Sequence, residues 1–220
     1  MIDLHMHTVY SDGELIPAEL ARRARTAGYR AMAFTDHADH SNIEHIITSL
    51  LKMVHEYSLY QEIELLAGVE LTHVPPALIP DLVKKARDFG AQIVLVHGET
   101  IVEPVAAGTN HAAIMAGVDI LAHPGLITAR DTALAAQKKV CLEITTRKGH
   151  SLTNGHVLNM TRQHGAKLVI NNDAHCPGDL VGKDFRKKVA LGAGMSETEY
   201  IQAEQNSLDI LAGIRAVMPG

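Results

Sequence analysis

The sequence predicts an α/β protein whose short parallel strands alternate with helices. Two observations support this fold class. Seven short apolar segments, each bounded by polar residues or glycine, are spread over residues 2–170. Helical patterns, several of which open near a proline or end at a glycine, lie between these segments. Right-handed crossovers between parallel strands wind such a chain into either a barrel or an open sheet.

The predicted strands are nearly continuous apolar runs rather than alternations of apolar and polar residues. This pattern is typical of parallel strands that are covered on both faces. In chain order the predicted strands are Ile2–Leu4, Ala31–Phe34, Leu65–Val69, Gln92–Val96, Ile120–Ala122, Val140–Ile144 and Lys167–Ile170.

The helices are predicted from the residues at their ends. Pro17 opens the first helical segment and Gly28 ends it. Ser196, followed three residues later by Glu199, forms a capping-box pattern that opens a closing helix. The predicted helical segments are 17–29, 79–91, 109–117, 153–166 and 196–218.

Composition limits the class of protein. Hydrophobic residues make up 46% of the 220 residues, enough for one sizeable core. No apolar run is long enough to span a bilayer, so we expect no membrane partner. The N-terminus lacks the basic and apolar regions of a signal peptide. We therefore predict a single-domain cytoplasmic protein.

Charge and cysteine content argue against two further classes. The net charge is −5, and the densest basic run covers only residues 183–188, so we expect no nucleic-acid partner. Cys141 and Cys176 are isolated, which argues against a disulfide framework or a cysteine-type zinc site. Nothing in the sequence defines an oligomeric state.

Histidines and carboxylates recur at the ends of the predicted strands. In a parallel barrel these carboxyl ends share one face, where active sites are built. Burying so many ionisable groups together is costly unless something compensates, and metal cations are the natural compensation. In chain order these residues are His5 and His7, Asp36 and His37, Glu70, His97, His123, Glu143, and Asp173 and His175.

The spacing of these residues suits metal ligation. Residues i and i+2 of a strand point to the same side, so His5 and His7 can face one ion, and Asp173 and His175 repeat the arrangement. The two oxygens of Glu70 could bridge two ions. Mixed nitrogen and oxygen ligation suits Zn²⁺, Mn²⁺ or Fe²⁺ better than Ca²⁺ or Mg²⁺.

The ordered motifs DLHMHT, SDG, TDH, GVEL, VHGE, AHPG and NNDAH resemble the PHP (polymerase and histidinol phosphatase) family of metal-dependent phosphoesterases. The motifs span residues 1–175. The resemblance implies a single PHP domain over residues 1–220, folded as a distorted (β/α)7 TIM-like barrel with a two- or three-metal centre. Residues 176–220 would form C-terminal closing helices.

The resemblance also implies three ion positions. The first position would be held by His5, His7, Glu70 and Asp173, and the second by the bridging Glu70 with His97 and His123. The third position would be held by Asp12, His37 and His175. Asp12 stands where some relatives have a histidine, so it decides whether two or three divalent ions (Zn, Mn or Fe) bind.

The expected activity is hydrolysis of a small phosphorylated metabolite, with histidinol phosphate as one candidate. A hydroxide that bridges the first two ions would attack phosphorus, since paired ions activate water and clamp phosphoryl oxygens. Arg147 could hold a phosphate oxygen through its planar guanidinium, although an exposed loop arginine is an equally good interpretation. We expect Asp36 to orient a ligating histidine and Asp3 to do the same or to stabilise the barrel floor.

Two alternatives stay open. An amidohydrolase-type metal hydrolase also opens with two histidines on a first barrel strand, but this chain is short for eight repeats. The other alternative is a non-catalytic metal-binding PHP module, against which the ligand set looks complete. Five histidines away from the strand ends are expected to be surface or helix-packing residues: His45, His55, His150, His156 and His164.

Overall fold

Seven parallel strands follow one another around a nearly closed barrel, which confirms the predicted fold class. This computed structural model describes residues 1–58 and 60–217. The strands are β1 (Ile2–Met6), β2 (Ala31–Phe34), β3 (Glu64–Leu71), β4 (Ile93–His97), β5 (Ile120–Ala122), β6 (Cys141–Thr145) and β7 (Leu168–Asn171). Their order in the sheet is their order in the chain, as successive right-handed crossovers require.

Helices connect the strands and cover the outside of the barrel. They are α1 (Pro17–Thr26), α2 (Ile43–Tyr57), α3 (Ile79–Asp88), α4 (Thr109–Ala116), α5 (Ala129–Lys138), α6 (Asn154–His164), α7 (Lys183–Gly192) and α8 (Glu197–Val217). The predicted capping box at α8 is present, because Glu199 accepts from the Ser196 backbone and Ser196 Oγ accepts from the Glu199 backbone. None of the described helices is both long and apolar enough to cross a membrane.

Two helices, α2 and α5, were absent from the sequence prediction, whereas α7 lies within the predicted C-terminal closing helices. The segment of α2 carries no proline or glycine at its ends, but Ile43, Ile46, Ile47 and Leu50 follow a helical period and are buried against the barrel. Helix α5 begins after Thr128, whose hydroxyl accepts from the Asp131 backbone N–H as an N-cap. The sequence signal was therefore the helical periodicity for α2 and the N-cap residue for α5, rather than a proline or glycine at the helix ends.

The barrel interior is filled by a small apolar cluster that is separate from the outer core. Leu4, Leu66 and Leu95 lie in this inner cluster, and each is at most 2% exposed. Helix α8 contributes Leu211 and Ile214 to the same cluster. Since the inner cluster also contains the first residues of several strands, α8 closes the amino-terminal end of the barrel and leaves the opposite end for polar residues.

A change of register in β1 alters which side chains face inward. The pairing of β1 with β2 shifts between Asp3 and Met6, and Leu4 and His5 occupy the shift. Leu4 belongs to the inner apolar cluster, His5 contacts inward-facing carboxylates, and Met6 belongs to the outer core. A bulge of this kind re-aims side chains. As a result, β1 supplies Leu4 to the inner apolar cluster and His5 to the polar residues at the carboxyl-terminal end of the barrel.

The barrel closes between β1 and β7 with few ladder bonds. Met6 forms an isolated parallel bridge with Ala174, and the His7 N–H donates to the Ala174 carbonyl at 2.9 Å. Side chains complete the seam, because the Asn172 N–H donates to Asp3 Oδ2 at 2.8 Å and the Leu4 N–H to Asn171 Oδ1 at 2.9 Å. The first and last strands are thus joined largely through side-chain acceptors.

Candidate metal centre

The nine predicted ligands lie together at the carboxyl-terminal end of the barrel. They surround or underlie an open cavity of about 220 Å³. His37 and Ala38 form a two-residue strand that pairs with Glu70 and Leu71 of β3, which brings His37 over the barrel. The nine residues are His5, His7, Asp12, His37, Glu70, His97, His123, Asp173 and His175.

The innermost layer joins two imidazoles to two carboxylates. His5 Nε2 lies 3.3 Å from Glu70 Oε1, and His7 Nε2 lies 3.2 Å from Asp173 Oδ1. Glu70 also reaches His123, whose Nε2 lies 3.5 Å from Oε1. All five side chains are buried. Glu70 therefore faces both the predicted first and second ion positions.

A second group of donors stands on one side of this layer. His175 Nε2 lies 3.1 Å from Asp12 Oδ1, and His37 Nε2 lies 3.4 Å from the same oxygen. One ligand atom from each of these three residues and from His7 lies within 4.8 Å of the others. The Asp12 side chain is 59% exposed, unlike the buried donors below it. This group corresponds to the predicted third ion position.

Buried atoms without partners test whether metal ions fit this site. Among the described residues, the buried atoms that lack a hydrogen-bond partner include His5 Nε2, both ring nitrogens of His7, Glu70 Oε1, His123 Nδ1 and Asp173 Oδ1. Leaving such atoms unpaired inside a protein is costly. Nitrogen and oxygen donors directed at one another are the donor set of divalent transition metals. The residues therefore fit the metal ions that the sequence predicts.

The protonation of His7, His123 and Glu70 suits cation binding, whereas the pKa values of Asp173 and His5 are raised, so these two ligands would release protons when an ion binds. Burial lowers the pKa of His7 and of His123 well below the usual range, which leaves both imidazoles neutral. Burial opposes ionisation of Glu70, but the imidazoles of His5 and His97 and the hydrogen bond to His37 hold its pKa well below the usual range. Burial raises the pKa of Asp173 to about 7. Metal ligation requires neutral imidazoles and ionised carboxylates.

Glu143 holds His5 in place. Its Oε2 lies 2.8 Å from His5 Nδ1 and accepts from Asn171 Nδ2 at 2.9 Å, while Oε1 accepts from the His123 N–H at 3.3 Å. Burial opposes protonation of His5, but Glu143, Glu70 and Asp173 raise its pKa well above the usual range. A carboxylate behind a ligating histidine fixes the ring and its tautomer.

Asp36 and Asp3 do not contact the ligating atoms. Asp36 accepts from the Thr8 N–H at 2.7 Å and from Ser11 Oγ at 2.8 Å, so it secures the loop that carries Asp12 rather than a histidine. Asp3 accepts from the His5 N–H at 3.1 Å and supports the bulge of β1 from outside the barrel. The expectation that Asp36 orients a histidine was therefore wrong.

Arg147 lines the cavity and is anchored at one end. Its Nη1 donates to Asp179 Oδ2 at 2.8 Å, and the same oxygen accepts from the His175 N–H at 2.9 Å. The Arg147 side chain is 28% exposed. The residue is among those that line the cavity, and its role as a phosphate clamp stays a prediction.

Three further side chains, which are not among the predicted ligands, lie at the rim: His73, Glu103 and His150. Glu103 Oε2 lies 3.2 Å from His97 Nε2 and 3.3 Å from His73 Nε2, and its Oε1 lies 3.4 Å from His150 Nε2. The expectation that His150 is a surface or helix-packing residue was wrong, because the ring is buried against His123. Glu103 stands on a loop and His150 begins a short 3₁₀ helix, so no strand period marks their direction.

The PHP domain family model matches residues 3–147. An uncharacterized protein of Methanocaldococcus jannaschii is 52% identical over 199 residues, which cover 90% of this chain and 91% of that protein. The fold is similar to a chain of an archaeal ribonuclease P structure with mature tRNA, with a TM-score of 0.72 and 18% identity over 99% of this chain and 93% of that one.

A further structural relative is the histidinol phosphate phosphatase HisK of Lactococcus lactis, solved with zinc, L-histidinol and phosphate. Its TM-score is 0.61, with 15% identity over 89% of this chain and 94% of that one. At these identities the two structures establish similarity of fold alone. The family model, in contrast, covers well over half of the sequence. The chain therefore belongs to the PHP domain family.

Proposed function

We propose that this protein is a metal-dependent phosphoesterase that hydrolyses a small phosphorylated metabolite. One observation carries the proposal: buried nitrogen and oxygen atoms converge without partners at the carboxyl-terminal end of the barrel. Membership of a family that is named for a phosphatase supports this activity, and a histidinol phosphate phosphatase is among the proteins of similar fold. Histidinol phosphate is therefore one candidate substrate.

Two or three divalent ions would be held by the predicted ligands. His5, His7, Glu70 and Asp173 form the first position, and His97 and His123 share Glu70 at the second. At the third position the ion would be held by Asp12, His37 and His175. The mixture of imidazole and carboxylate donors favours Zn²⁺, Mn²⁺ or Fe²⁺.

When bound, such ions lower the pKa of water and neutralise charge on a phosphoryl group. The chain's own residues would supply the remaining functions. Arg147, whose Nη1 is anchored by Asp179, would hold a phosphate oxygen at the rim. Glu143 keeps the His5 ring fixed while substrate binds. The open cavity of about 220 Å³ is large enough to admit a phosphate group.

The test combines metal analysis with a substrate screen. The purified protein is stripped with a chelator, reloaded separately with Zn²⁺, Mn²⁺ or Fe²⁺, and assayed on phosphomonoesters, phosphodiesters, amides and lactones. We expect phosphate-ester hydrolysis that disappears on stripping and returns on reloading. Activity that survives complete metal removal would contradict the proposal, and activity on amides or lactones alone would favour the amidohydrolase-type alternative.

Two variants locate the activity at this site. His97→Ala should abolish turnover while leaving the fold intact, because the His97 ring faces the cavity. His55→Ala is the matched control, since His55 is exposed on α2 and is not one of the predicted ligands. A fully active His97→Ala protein would refute the second ion position.

A second candidate is a module of an RNA–protein assembly. The observation that favours it is the similarity of fold to a chain of archaeal ribonuclease P, which covers 99% of this chain. The net charge of −5 disfavours direct binding to a polyanion. Salt-dependent binding of tRNA by a protein without phosphoesterase activity would favour this candidate over the enzyme.

A further inference from the structure

We propose that His150 is an additional nitrogen ligand at the second ion position and that it makes this position selective for Zn²⁺. This inference rests on the proposed metal centre. The predicted set assigns only Glu70, His97 and His123 to the second position. In the structure a third imidazole reaches the same place, since one ring nitrogen each of His97, His123 and His150 lie within 4.8 Å of one another.

The ring of His150 is held as a ligand would be. It stacks on His123 with ring centroids 4.1 Å apart and planes 13° from parallel. Its Nδ1 lies 2.7 Å from Thr100 Oγ1, so the outer nitrogen is occupied, while Nε2 lies 3.4 Å from Glu103 Oε1 and 4.0 Å from Asp173 Oδ2 of the centre. Ligating histidines generally carry such a partner on the second nitrogen, because it fixes the tautomer and the ring. The residue is 7% exposed.

The loop that carries His150 folds back over the carboxyl-terminal end of the barrel. Gly149 adopts a φ of +92°, which a residue with a side chain rarely tolerates, and the chain turns there into a short 3₁₀ helix, His150–Thr153. Asn154 fastens the loop at its base, because its Nδ2 donates to the Thr145 carbonyl at 2.8 Å and its Oδ1 accepts from the Thr145 N–H at 3.2 Å. His150 therefore projects from a closed, anchored loop.

The chemistry of the donors predicts the metal. With His150, the second position would have three imidazoles beside the Glu70 carboxylate, whereas the third would have the imidazoles of His37 and His175 beside the Asp12 carboxylate. Imidazole donors favour Zn²⁺ over Mn²⁺, and carboxylate donors shift the balance towards Mn²⁺. A face of three histidines is also a known arrangement for catalytic zinc. We expect the second position to bind Zn²⁺ and the third to accept Mn²⁺ more readily.

The test measures metal binding rather than turnover. Wild-type, His150→Ala, Thr100→Val and His55→Ala proteins are stripped and titrated with Zn²⁺ against a chromophoric chelator. We expect His150→Ala to weaken the binding of one ion by at least about tenfold, and Thr100→Val to weaken the same ion by roughly tenfold. The exposed His55→Ala control should match wild type. Unchanged affinity in both site variants would overturn the proposal.

Two further readouts separate ligation from packing. Loading with Co²⁺ should give a visible absorption spectrum that changes in His150→Ala, because one nitrogen donor is lost, and an identical spectrum would overturn the proposal. His150→Asp should lower the ratio of Zn²⁺ to Mn²⁺ affinity at one position by at least about tenfold, and an unchanged ratio would refute the selectivity. If His150→Ala does not fold, the nearly isosteric Thr100→Val decides. A wild-type protein that binds no divalent ion would instead refute the proposed function.

Discussion

Replacing Glu143 with glutamine should damage both stability and metal binding, and the structure gives the size of each effect. Both oxygens of the buried Glu143 carboxylate accept hydrogen bonds: Oε2 accepts from Asn171 Nδ2, and Oε1 accepts from the His123 N–H. A glutamine amide has only one accepting oxygen. Whichever way the amide turns, its NH₂ group meets another donor.

One unsatisfied buried hydrogen bond costs about 1–3 kcal/mol. For a chain of this length, each kcal/mol lowers the melting temperature by roughly 2–4 °C, so Glu143→Gln should melt roughly 2–12 °C below wild type. The His5 ring also loses its charged partner at Nδ1, which should weaken metal binding by roughly 10–100-fold. The two losses share one cause and should appear together.

Calorimetry of the stripped protein and competition titration with Zn²⁺ measure the two effects separately. Glu62→Gln is the matched control, because the Glu62 side chain is 77% exposed and its pair with Arg25 should contribute little. A Glu143→Gln protein that melts and binds Zn²⁺ like Glu62→Gln would refute the argument that Glu143 fixes the His5 ring.

Three further predictions concern the rest of the molecule. Metal removal should lower the melting temperature in calorimetry. Each ion whose free concentration is about 100 times its Kd adds about 2.7 kcal/mol to the free energy of unfolding. Identical melting with and without chelator would contradict this prediction. Leu211→Ala should cost about 2–5 kcal/mol of unfolding free energy in denaturant titrations, since Leu211 fills the inner cluster, while the metal content stays at the wild-type value. Burial raises the pKa of Cys141 to about 11, so a thiol reagent at pH 8 should label the half-buried Cys176 first, and equal rates would contradict the buried position of Cys141.

The positions of the strands could be predicted because their signal is local. The predicted strand Lys167–Ile170 differs by one residue at each end from β7, Leu168–Asn171. A strand that is buried on both faces is a short apolar run, and the polar residue that follows it marks the open end of the barrel. The same reasoning predicts that His97 and Glu70, which both lie at strand ends, share the carboxyl-terminal face of the barrel, as they do.

Features that depend on loops or on irregular backbone could not be read in this way. Strand periodicity puts Leu4 and His5 on opposite faces, and only the bulge turns both of them inward. His150 follows a glycine turn and belongs to no strand, so its direction is set by the return of the chain over the barrel. The two residues show the same limit: a pattern of residue types does not contain the local backbone angles.

The seam between β1 and β7 gives the metal centre a mechanical consequence. His5 and His7 lie on one side of the seam and Asp173 on the other, so an ion held by these residues ties the first strand to the last. The tied residues enclose residues 8–172, about three quarters of the chain. Closing so long a loop removes much of the freedom of the unfolded chain, as a cross-link does. The ion would then link β1 to β7, the two strands at which the barrel closes and between which there are few backbone hydrogen bonds.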